Sequence, residues 1–208
     1  MIQIITSENR TLFRQALTQM HLQRKRLFID EMRWPLTEVA GLEIDQFDSE
    51  EAIYLIEFGP RGEVLQSARL LPTTRPHLLS HVFPYLCADG APTSPTIWEA
   101  SRFCPAPATP KGEPRRALLG KMIAAILETG LIFGIERVTF VASAALTPLT
   151  LSAGWSVSAL GQTRRAKRDR LTAFAAEISA EGLARVRAHY ALQRPVTRHA
   201  DPEFARAA

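Results

Sequence analysis

Residues 115–143 read RRALLGKMIAAILETGLIFGIERVTFVAS, and this stretch decides the fold class. Its apolar residues recur at helical spacing as far as Gly134, which predicts a long amphipathic helix over Arg115–Gly134. Val138–Ser143 is then continuously apolar, as expected of a strand that is buried on both faces. A long helix followed directly by such a strand indicates helices packed on a sheet, so we expect an α/β protein.

Strands and helices interleave on both sides of this stretch, without the strict alternation of a parallel βαβ fold. We therefore expect one domain over residues 1–194, built as a three-layer α/β/α sandwich with a mixed sheet, and a flexible tail over residues 195–208. Further strands are predicted at Met1–Thr6, Ala52–Phe58, Val64–Leu71, Ile97–Phe103, Trp155–Leu160 and Leu171–Ile178. Further helices are predicted at 8–32, Leu78–Leu86, Thr147–Ala153 and Glu181–Leu192, with an irregular loop over 36–51.

The composition is that of an ordinary globular protein, because 46% of the 208 residues are hydrophobic and 22% are charged. No apolar run is long enough to span a bilayer and the N-terminus lacks the pattern of a secretory signal, so we expect no membrane span. Cys87 and Cys104 fit neither a disulfide framework nor a zinc pattern, which indicates reduced thiols in a cytoplasmic protein. The five histidines lack partners at ligand spacing, so we expect no metal.

The net charge of +4 taken alone suggests a binder of nucleic acids or membrane surfaces. Its distribution is bipolar, since residues 1–103 carry a net charge of −3 and residues 104–208 a net charge of +7. The basic run 161–170 (GQTRRAKRDR) is either a solvated loop or a docking patch for an anionic partner. It lacks the interleaved aromatic residues of single-strand binders, so we expect no nucleic-acid partner. The patch would comprise Lys111, Arg115, Arg116, Arg164, Arg165 and Arg168.

The segment 43–48 (EIDQFD) places three carboxylates within six residues of the predicted loop. Carboxylates this close repel one another unless a cation meets them. The segment is either a solvated acidic loop or a site for a cation or a hydroxyl-rich ligand. Trp34 lies nearby in the sequence and offers an aromatic face to a sulfonium or ammonium group.

The strand 97–103 (IWEASRF) carries charges where a buried strand would be apolar. Strict alternation would place Glu99, Ser101 and Phe103 on one face and Arg102 on the other. Glu99 is either part of a surface pair on an edge strand or a carboxylate in a cleft that accepts a proton. Both readings remain open from the spacing alone.

Arg69 lies in the strand QSARLL and is either exposed at an edge or buried. A buried arginine needs a carboxylate partner, because an unpaired buried charge is costly. The sequence therefore predicts one network of three arginines with three acids, namely Arg24, Arg69 and Arg102 with Asp45, Asp48 and Glu99.

Together these residues resemble the LuxI-type acyl-homoserine lactone synthases, which make quorum-sensing autoinducers. The family pattern is an Arg, a Phe four residues later and a Trp six after that, then E-x-D-x-x-D, an Arg in a strand and W-E-x-S-R-[FY]. The match runs in order through about the first three-quarters of the chain. The matching residues are Arg24, Phe28, Trp34, Glu43, Asp45, Asp48, Arg69, Glu99, Ser101, Arg102 and Phe103.

The resemblance implies a fold similar to the GCN5-type N-acetyltransferases and a reaction between two substrates. An acyl group on acyl carrier protein or coenzyme A would pass to the amine of S-adenosylmethionine, whose carboxylate would then displace methylthioadenosine and close a lactone. No cofactor is implied, since S-adenosylmethionine is a substrate. The resemblance also implies catalytic roles for Glu99, Asp45 and Arg102, with Glu99 preferred to Asp45 as the base.

The resemblance further implies two binding regions. The S-adenosylmethionine site would comprise Arg24, Phe28, Trp34, Asp45, Asp48, Arg69, Arg102 and Phe103. The acyl pocket would comprise Met122, Ile126, Phe140, Ala142 and Leu149.

Two other functions compete with this one. An N-acyltransferase that uses acyl-coenzyme A and another amine would usually carry an [RQ]-x-x-G-x-[GA] turn before the long helix, where this chain has PKGEPRRAL (110–118). A basic nucleic-acid-binding module would bind with a steep dependence of affinity on salt.

Overall fold

The long helix and the buried strand that decide the fold class are both present. The helix α3 spans Glu113–Phe133, and the strand β7 spans Arg137–Ser143. Gly134 ends α3 in the left-handed conformation, with a φ of 68°, which glycine adopts without a steric penalty. The computed structural model describes residues 1–107, 109–166 and 169–199.

Short elements surround this pair. The other α-helices are α1 (Arg14–Arg24), α2 (Leu78–His81), α4 (Thr147–Leu151) and α5 (Ala180–His189). The strands before β7 are β1 (Ile2–Ile5), β2 (Glu38–Val39), β3 (Leu42–Glu43), β4 (Ile53–Phe58), β5 (Val64–Pro72) and β6 (Ile97–Pro105). Those after it are β8 (Val157–Ala159), β9 (Arg164–Ala166), β10 (Asp169–Glu177) and β11 (Thr197–His199).

Nine of the described strands form one mixed sheet in the order β11-β1-β4-β5-β6-β7-β10-β8, with β9 also paired to β10. The pairs β1/β11 and β6/β7 are parallel, and the others are antiparallel. The strands β2 and β3 form a separate small hairpin. None of the helices in the described residues is both long and apolar enough to cross a membrane.

Helices cover both faces of the sheet. On one face, α3 and α5 bury the largest apolar cluster, which includes Met122, Ile126 and Val186. On the other face, α1 packs on the first strands through Met20, and α2 packs on β10 through Leu79. The expected α/β fold with a mixed sheet and three layers is therefore confirmed.

The sheet opens between β6 and β7. Their parallel pairing ends at Glu99 and Thr139, although β6 continues to Pro105 and β7 to Ser143. Beyond that point β6 pairs with β5 and β7 pairs with β10. Two strand edges therefore face each other across an opening, and Glu99 lies where it begins.

The structure differs from the prediction at both ends of the chain. The helix predicted over 8–32 is divided into a 3-10 turn at Arg10–Phe13, α1 itself, and a π-helix at Lys25–Glu31. The tail predicted from residue 195 contributes β11 to the sheet, while residues 200–208 lie outside the described ranges. The buried carboxylate of Glu128 in α3 accepts hydrogen bonds from the backbone N–H groups of Val196 and Thr197, and these bonds hold β11 in place.

Candidate active site

The acidic segment 43–48 is folded into a tight loop by its own carboxylates. Asp45 accepts a hydrogen bond from the backbone N–H of Phe47 at 2.9 Å, and Asp48 accepts one from the N–H of Asp45 at 2.9 Å. The ring of Phe47 is buried against residues of β4 and β5 and anchors the loop. The loop therefore fixes its carboxylates in place and is not a solvated acidic segment.

Arg24, at the end of α1, is fully buried and binds two of these carboxylates. Its Nε lies 2.5 Å from Glu43 Oε2, and its Nη1 and Nη2 lie 2.8 and 2.9 Å from the two oxygens of Asp48. All three nitrogens of the guanidinium thus donate to carboxylates. Burial opposes the charged form, but the contacts with Asp48 and Glu43 raise the pKa of Arg24 above its ordinary value.

Arg69 from β5 and Arg102 from β6 complete the arrangement. Arg69 Nη1 and Nη2 lie 2.6 and 3.1 Å from the two oxygens of Asp45, and Nη1 also lies 2.8 Å from Asp48 Oδ1. Arg102 Nη2 lies 2.7 Å from Asp45 Oδ2 and 3.0 Å from Glu43 Oε1. We call this group the ionic cluster, and its members are Arg24, Arg69, Arg102, Glu43, Asp45 and Asp48.

Tyr54 of β4 forms a hydrogen bond with the ionic cluster, although no sequence pattern singles it out. Its hydroxyl donates to Asp48 Oδ1 at 2.9 Å. Burial and the charge of Asp48 raise the pKa of Tyr54, so this hydroxyl remains a donor. Burial acts to raise the pKa of Asp48, but the contacts with Arg24 and Arg69 hold it far below its usual range. The one available signal was a lone hydroxyl in the apolar strand AIYLIEF.

The predicted network contained the right arginines and one wrong acid. Glu99 is not in the ionic cluster, where Glu43 takes its place because β3 packs against α1 and brings Glu43 to Arg24. Glu99 instead accepts hydrogen bonds from the backbone N–H groups of Leu78 at 2.9 Å and Leu79 at 2.6 Å, where α2 begins.

Glu99 is nearly inaccessible, with 1% of its surface exposed. Burial raises the pKa of Glu99 to about 7, although the two N–H donors and the positive charges of Arg69 and Arg102 act in the opposite direction. A carboxylate with this pKa accepts and releases a proton near neutral pH. Since Glu99 is buried and β6 lies between β5 and β7, the interpretation of Glu99 as part of a surface pair on an edge strand is wrong.

A β-bulge in β6 reverses the alternation that the sequence predicted. The register with β5 shifts between Ser67 and Arg69, and Arg102 adopts a φ of 55°. As a result Arg102 joins Ser101 on the face of the ionic cluster, where Arg69 Nε donates to the Ser101 hydroxyl at 3.2 Å. Phe103 turns to the opposite face and packs with the large apolar cluster. The structure thus separates Phe103 from the other predicted S-adenosylmethionine residues.

Two aromatic side chains lie beside the ionic cluster. Phe28, in the π-helix, is buried and stacks on Trp34 with 5.0 Å between ring centroids. The guanidinium carbon of Arg102 lies 5.6 Å from the Phe28 centroid, within cation–π range. Trp34 remains 40% exposed, so its ring is accessible to a ligand.

The five predicted acyl-pocket residues belong to one apolar region on the α3 face of the sheet. Phe140 stacks on Trp155 with 5.4 Å between centroids, and Trp98 and Phe103 pack against the same cluster. This region borders the opening between β6 and β7. The residues are Met122, Ile126, Phe140 and Ala142, which are buried, and Leu149, which packs against them.

The described residues of the predicted basic patch lie near the carboxyl ends of β6 and β7. Lys111, Arg115 and Arg116 flank the start of α3, which follows the carboxyl end of β6. Arg164 is paired to Leu171, which is in turn paired to Ser143 at the carboxyl end of β7. Because β6 and β7 are parallel, both basic segments lie at the end where the sheet opens. Arg165 lies beside Arg164 in β9, and Arg168 lies outside the described residues.

Throughout the described ranges, no group of three His, Cys, Asp or Glu side chains is arranged to hold a metal ion.

Comparison with known proteins gives the family. The model of the autoinducer synthase family matches residues 8–186. The chain belongs to this family. It is 36% identical over 163 residues to an isovaleryl-homoserine lactone synthase of Bradyrhizobium diazoefficiens, a match that covers 77% of this chain and 72% of the relative.

Solved structures agree with the membership of the autoinducer synthase family. The structure of BjaI, a CoA-dependent acyl-homoserine lactone synthase, with SAM and isopentyl-CoA has a TM-score of 0.88 and 31% identity, and the alignment covers 100% of this chain and 98% of BjaI. A protein from Lactobacillus plantarum described as an N-acetyltransferase has a TM-score of 0.54 at 13% identity, over 86% of this chain and 99% of that protein. The second likeness shows the shared fold alone.

The ionic cluster makes the stability of this autoinducer synthase depend on each of its buried charges. We expect Arg24→Gln to lower the free energy of unfolding by about 3–5 kcal/mol, because it leaves buried carboxylates without their partner. Urea denaturation at pH 7 would measure it. The matched control is Arg14→Gln on the exposed part of α1, which we expect to change stability by less than about 0.5 kcal/mol. Equal stabilities of the two variants would contradict the compensating role of Arg24.

Proposed function

We propose that this chain is an acyl-homoserine lactone synthase. It transfers an acyl group from a thioester to the amine of S-adenosylmethionine, and the product closes to a lactone with release of methylthioadenosine. One observation carries the proposal: Glu99, a buried carboxylate with a pKa of about 7, lies where β6 and β7 part, on the strand that also carries Arg102. The similarity to BjaI, whose structure contains SAM and isopentyl-CoA, supports it.

S-adenosylmethionine binds beside the ionic cluster. Its carboxylate pairs with Arg102, because Nη1 of this residue makes no hydrogen bond to any described residue and the side chain is 5% exposed. Arg24 and Arg69 position the carboxylates of the loop, since every guanidinium nitrogen of both already donates to protein. The exposed face of Trp34 receives the sulfonium by cation–π attraction.

Acyl transfer requires the amine to lose a proton while it attacks. The nitrogen forms a bond to the thioester carbonyl carbon, the C–S bond breaks, and the donor leaves as a thiolate. Glu99 accepts the amine proton through a water molecule. Asp45 is less suited to this role, because the charged guanidinium groups of Arg69 and Arg102 bind its oxygens, whereas the donors to Glu99 are neutral backbone N–H groups.

Lactone closure needs no external base. A carboxylate oxygen of the acylated substrate attacks the carbon bonded to the sulfonium, so that a C–O bond forms and a C–S bond breaks. Neutral methylthioadenosine leaves with the electron pair. The contribution of the protein is to hold the carboxylate in line with that carbon, and positioning of this kind supplies much of the rate in intramolecular displacements.

The acyl chain occupies the opening between β6 and β7 and extends toward Met122, Ile126, Phe140, Ala142 and Leu149. We prefer acyl-coenzyme A to acyl carrier protein as the donor, because BjaI is a CoA-dependent synthase. Phosphates of the donor meet the basic residues at the open end of the sheet. The reaction takes place in the cytoplasm, in keeping with the two free thiols of Cys87 and Cys104, and it uses no cofactor.

Incubation with S-adenosylmethionine and a panel of acyl-coenzyme A and acyl carrier protein thioesters tests the proposal. We expect mass spectrometry to detect an acyl-homoserine lactone and an equal amount of methylthioadenosine. Acyl transfer to other amines without release of methylthioadenosine would instead identify an ordinary N-acyltransferase. The absence of both products across a broad panel would contradict the proposed reaction.

Glu99 should control the pH dependence of turnover. We expect kcat to fall as the pH decreases below about 7, because protonated Glu99 cannot accept the amine proton. Glu99→Gln should lower kcat by about 100-fold or more and abolish this titration, whereas Glu8→Gln, an exposed control, should change neither. Circular dichroism would verify that both variants fold. Wild-type kcat in Glu99→Gln would remove Glu99 from the mechanism.

The basic patch should act on the acyl donor alone. We expect Arg164→Glu to raise the KM for the donor about threefold to tenfold, since a reversed charge repels its phosphates, and to leave the KM for S-adenosylmethionine unchanged. Arg137→Glu, at the opposite end of β7, is the matched control. Steady-state kinetics at low and high salt would measure both constants. A donor KM that is equal in the two variants would show that Arg164 belongs to a solvated loop.

A further inference from the structure

We propose that Arg10 is a positioning residue that holds the loop 43–52 in its binding conformation before S-adenosylmethionine arrives. The inference rests on the proposed function for its substrate. Arg10 follows β1, lies outside the family pattern and takes no part in the mechanism above. Its guanidinium nevertheless contacts the backbone that follows the acidic segment 43–48, and also the Tyr54 ring.

The guanidinium of Arg10 binds three backbone carbonyls in the second half of this loop. Its Nη1 lies 3.1 Å from the oxygen of Ser49, and its Nη2 lies 3.3 Å from that of Glu50 and 2.8 Å from that of Ala52. One planar group therefore fixes the direction of the chain directly after Asp48. A lysine at this position would offer a single ammonium and could not match the three carbonyls.

Arg10 also contacts the side chain of Tyr54, which supports the carboxylate of Asp48. The guanidinium carbon lies 5.3 Å from the centroid of the Tyr54 ring, and the hydroxyl of Tyr54 donates to Asp48. Arg10 thus restrains Asp48 through the backbone that follows it and through the ring beneath it. Asp48 in turn holds the first half of the loop, because its carboxylate accepts the N–H of Asp45.

Arg10 is itself held by a rigid turn, so it can transmit this restraint. Its backbone N–H donates to the oxygen of Thr6 at 3.0 Å, and the Thr6 N–H donates to the side chain of Asn9. The side-chain amide of Asn9 donates to the oxygen of Ile4 in β1. A chain of hydrogen bonds therefore runs from β1, through Asn9, Thr6 and Arg10, to the loop. We call this chain the tether.

A preformed loop lowers the entropy that substrate binding must remove. Arg10 contacts the Tyr54 ring on β4, whereas Glu99 lies on β6, and β5 separates these two strands in the sheet. Its effect is therefore confined to the affinity for S-adenosylmethionine. It should leave the chemical step and the affinity for the acyl donor unaltered.

Kinetics of Arg10→Gln and Arg10→Lys test this role. We expect Arg10→Gln to raise the KM for S-adenosylmethionine about tenfold, with kcat and the donor KM within twofold of wild type. Arg10→Lys should give a smaller increase, and Arg14→Gln, an exposed arginine a few residues away, should match wild type. An unchanged KM for S-adenosylmethionine in Arg10→Gln, or an equal rise in both KM values, would overturn the proposal.

Hydrogen exchange of the substrate-free protein tests the tether independently of catalysis. In Arg10→Gln we expect the amides of residues 45–52 to exchange at least tenfold faster, while those of β4 and β5 remain protected. Unaltered exchange in this segment would overturn the proposal even if the enzyme makes the lactone. Faster exchange in a protein that makes no lactone would retain the tether and reject the proposed function.

Discussion

The fold around the site depends on the charge balance of the ionic cluster. Three guanidinium groups meet three carboxylates in a region that is nearly closed to water, and each partner supplies the compensation that the others need. Arg24 fastens α1, Arg69 fastens β5, and Arg102 fastens the bulged part of β6. These ion pairs act together with the buried ring of Phe47 and the hydrogen bonds within the loop, and they join four separate segments in a single geometry.

The exclusion of Glu99 from the ionic cluster divides the carboxylates into two kinds. Asp48 is held by arginines, which keep its pKa far below neutrality, so it is a permanent anion. Glu99 receives only backbone N–H donors and more distant positive charge, so burial dominates and raises its pKa to about 7. The arginine contacts that lower the pKa of Asp48 make it a poor proton acceptor, and Glu99 has no such contact with an arginine side chain in the described residues. The distance between Glu99 and the arginines is therefore as important as the pairing of the other acids.

The sequence predicts most of the fold and part of the site, for different physical reasons. Periodicity reveals α3 and β7, because many of their side chains are buried. The rule that buried charges need partners predicts one network for the three arginines, but it cannot decide between Glu43 and Glu99, because that choice depends on where β3 lies. The bulge at Arg102 has no local signal, since a positive φ at a non-glycine residue is imposed by its partners. Tyr54 and Arg10 escape notice because their importance lies entirely in tertiary contacts.

The ionic cluster also shows that the acidic residues of the N-terminal half do not all contribute to a negative surface. One interpretation of the acidic segment 43–48 is a site that attracts a cation, yet its three acids are matched by three arginines. Such a site has little net charge with which to attract a sulfonium over long range. In the proposed binding mode, recognition is short-ranged and uses the exposed face of Trp34 and the Nη1 of Arg102. Selectivity of this kind comes from geometry, which explains why so much of the N-terminal half serves to hold one loop still.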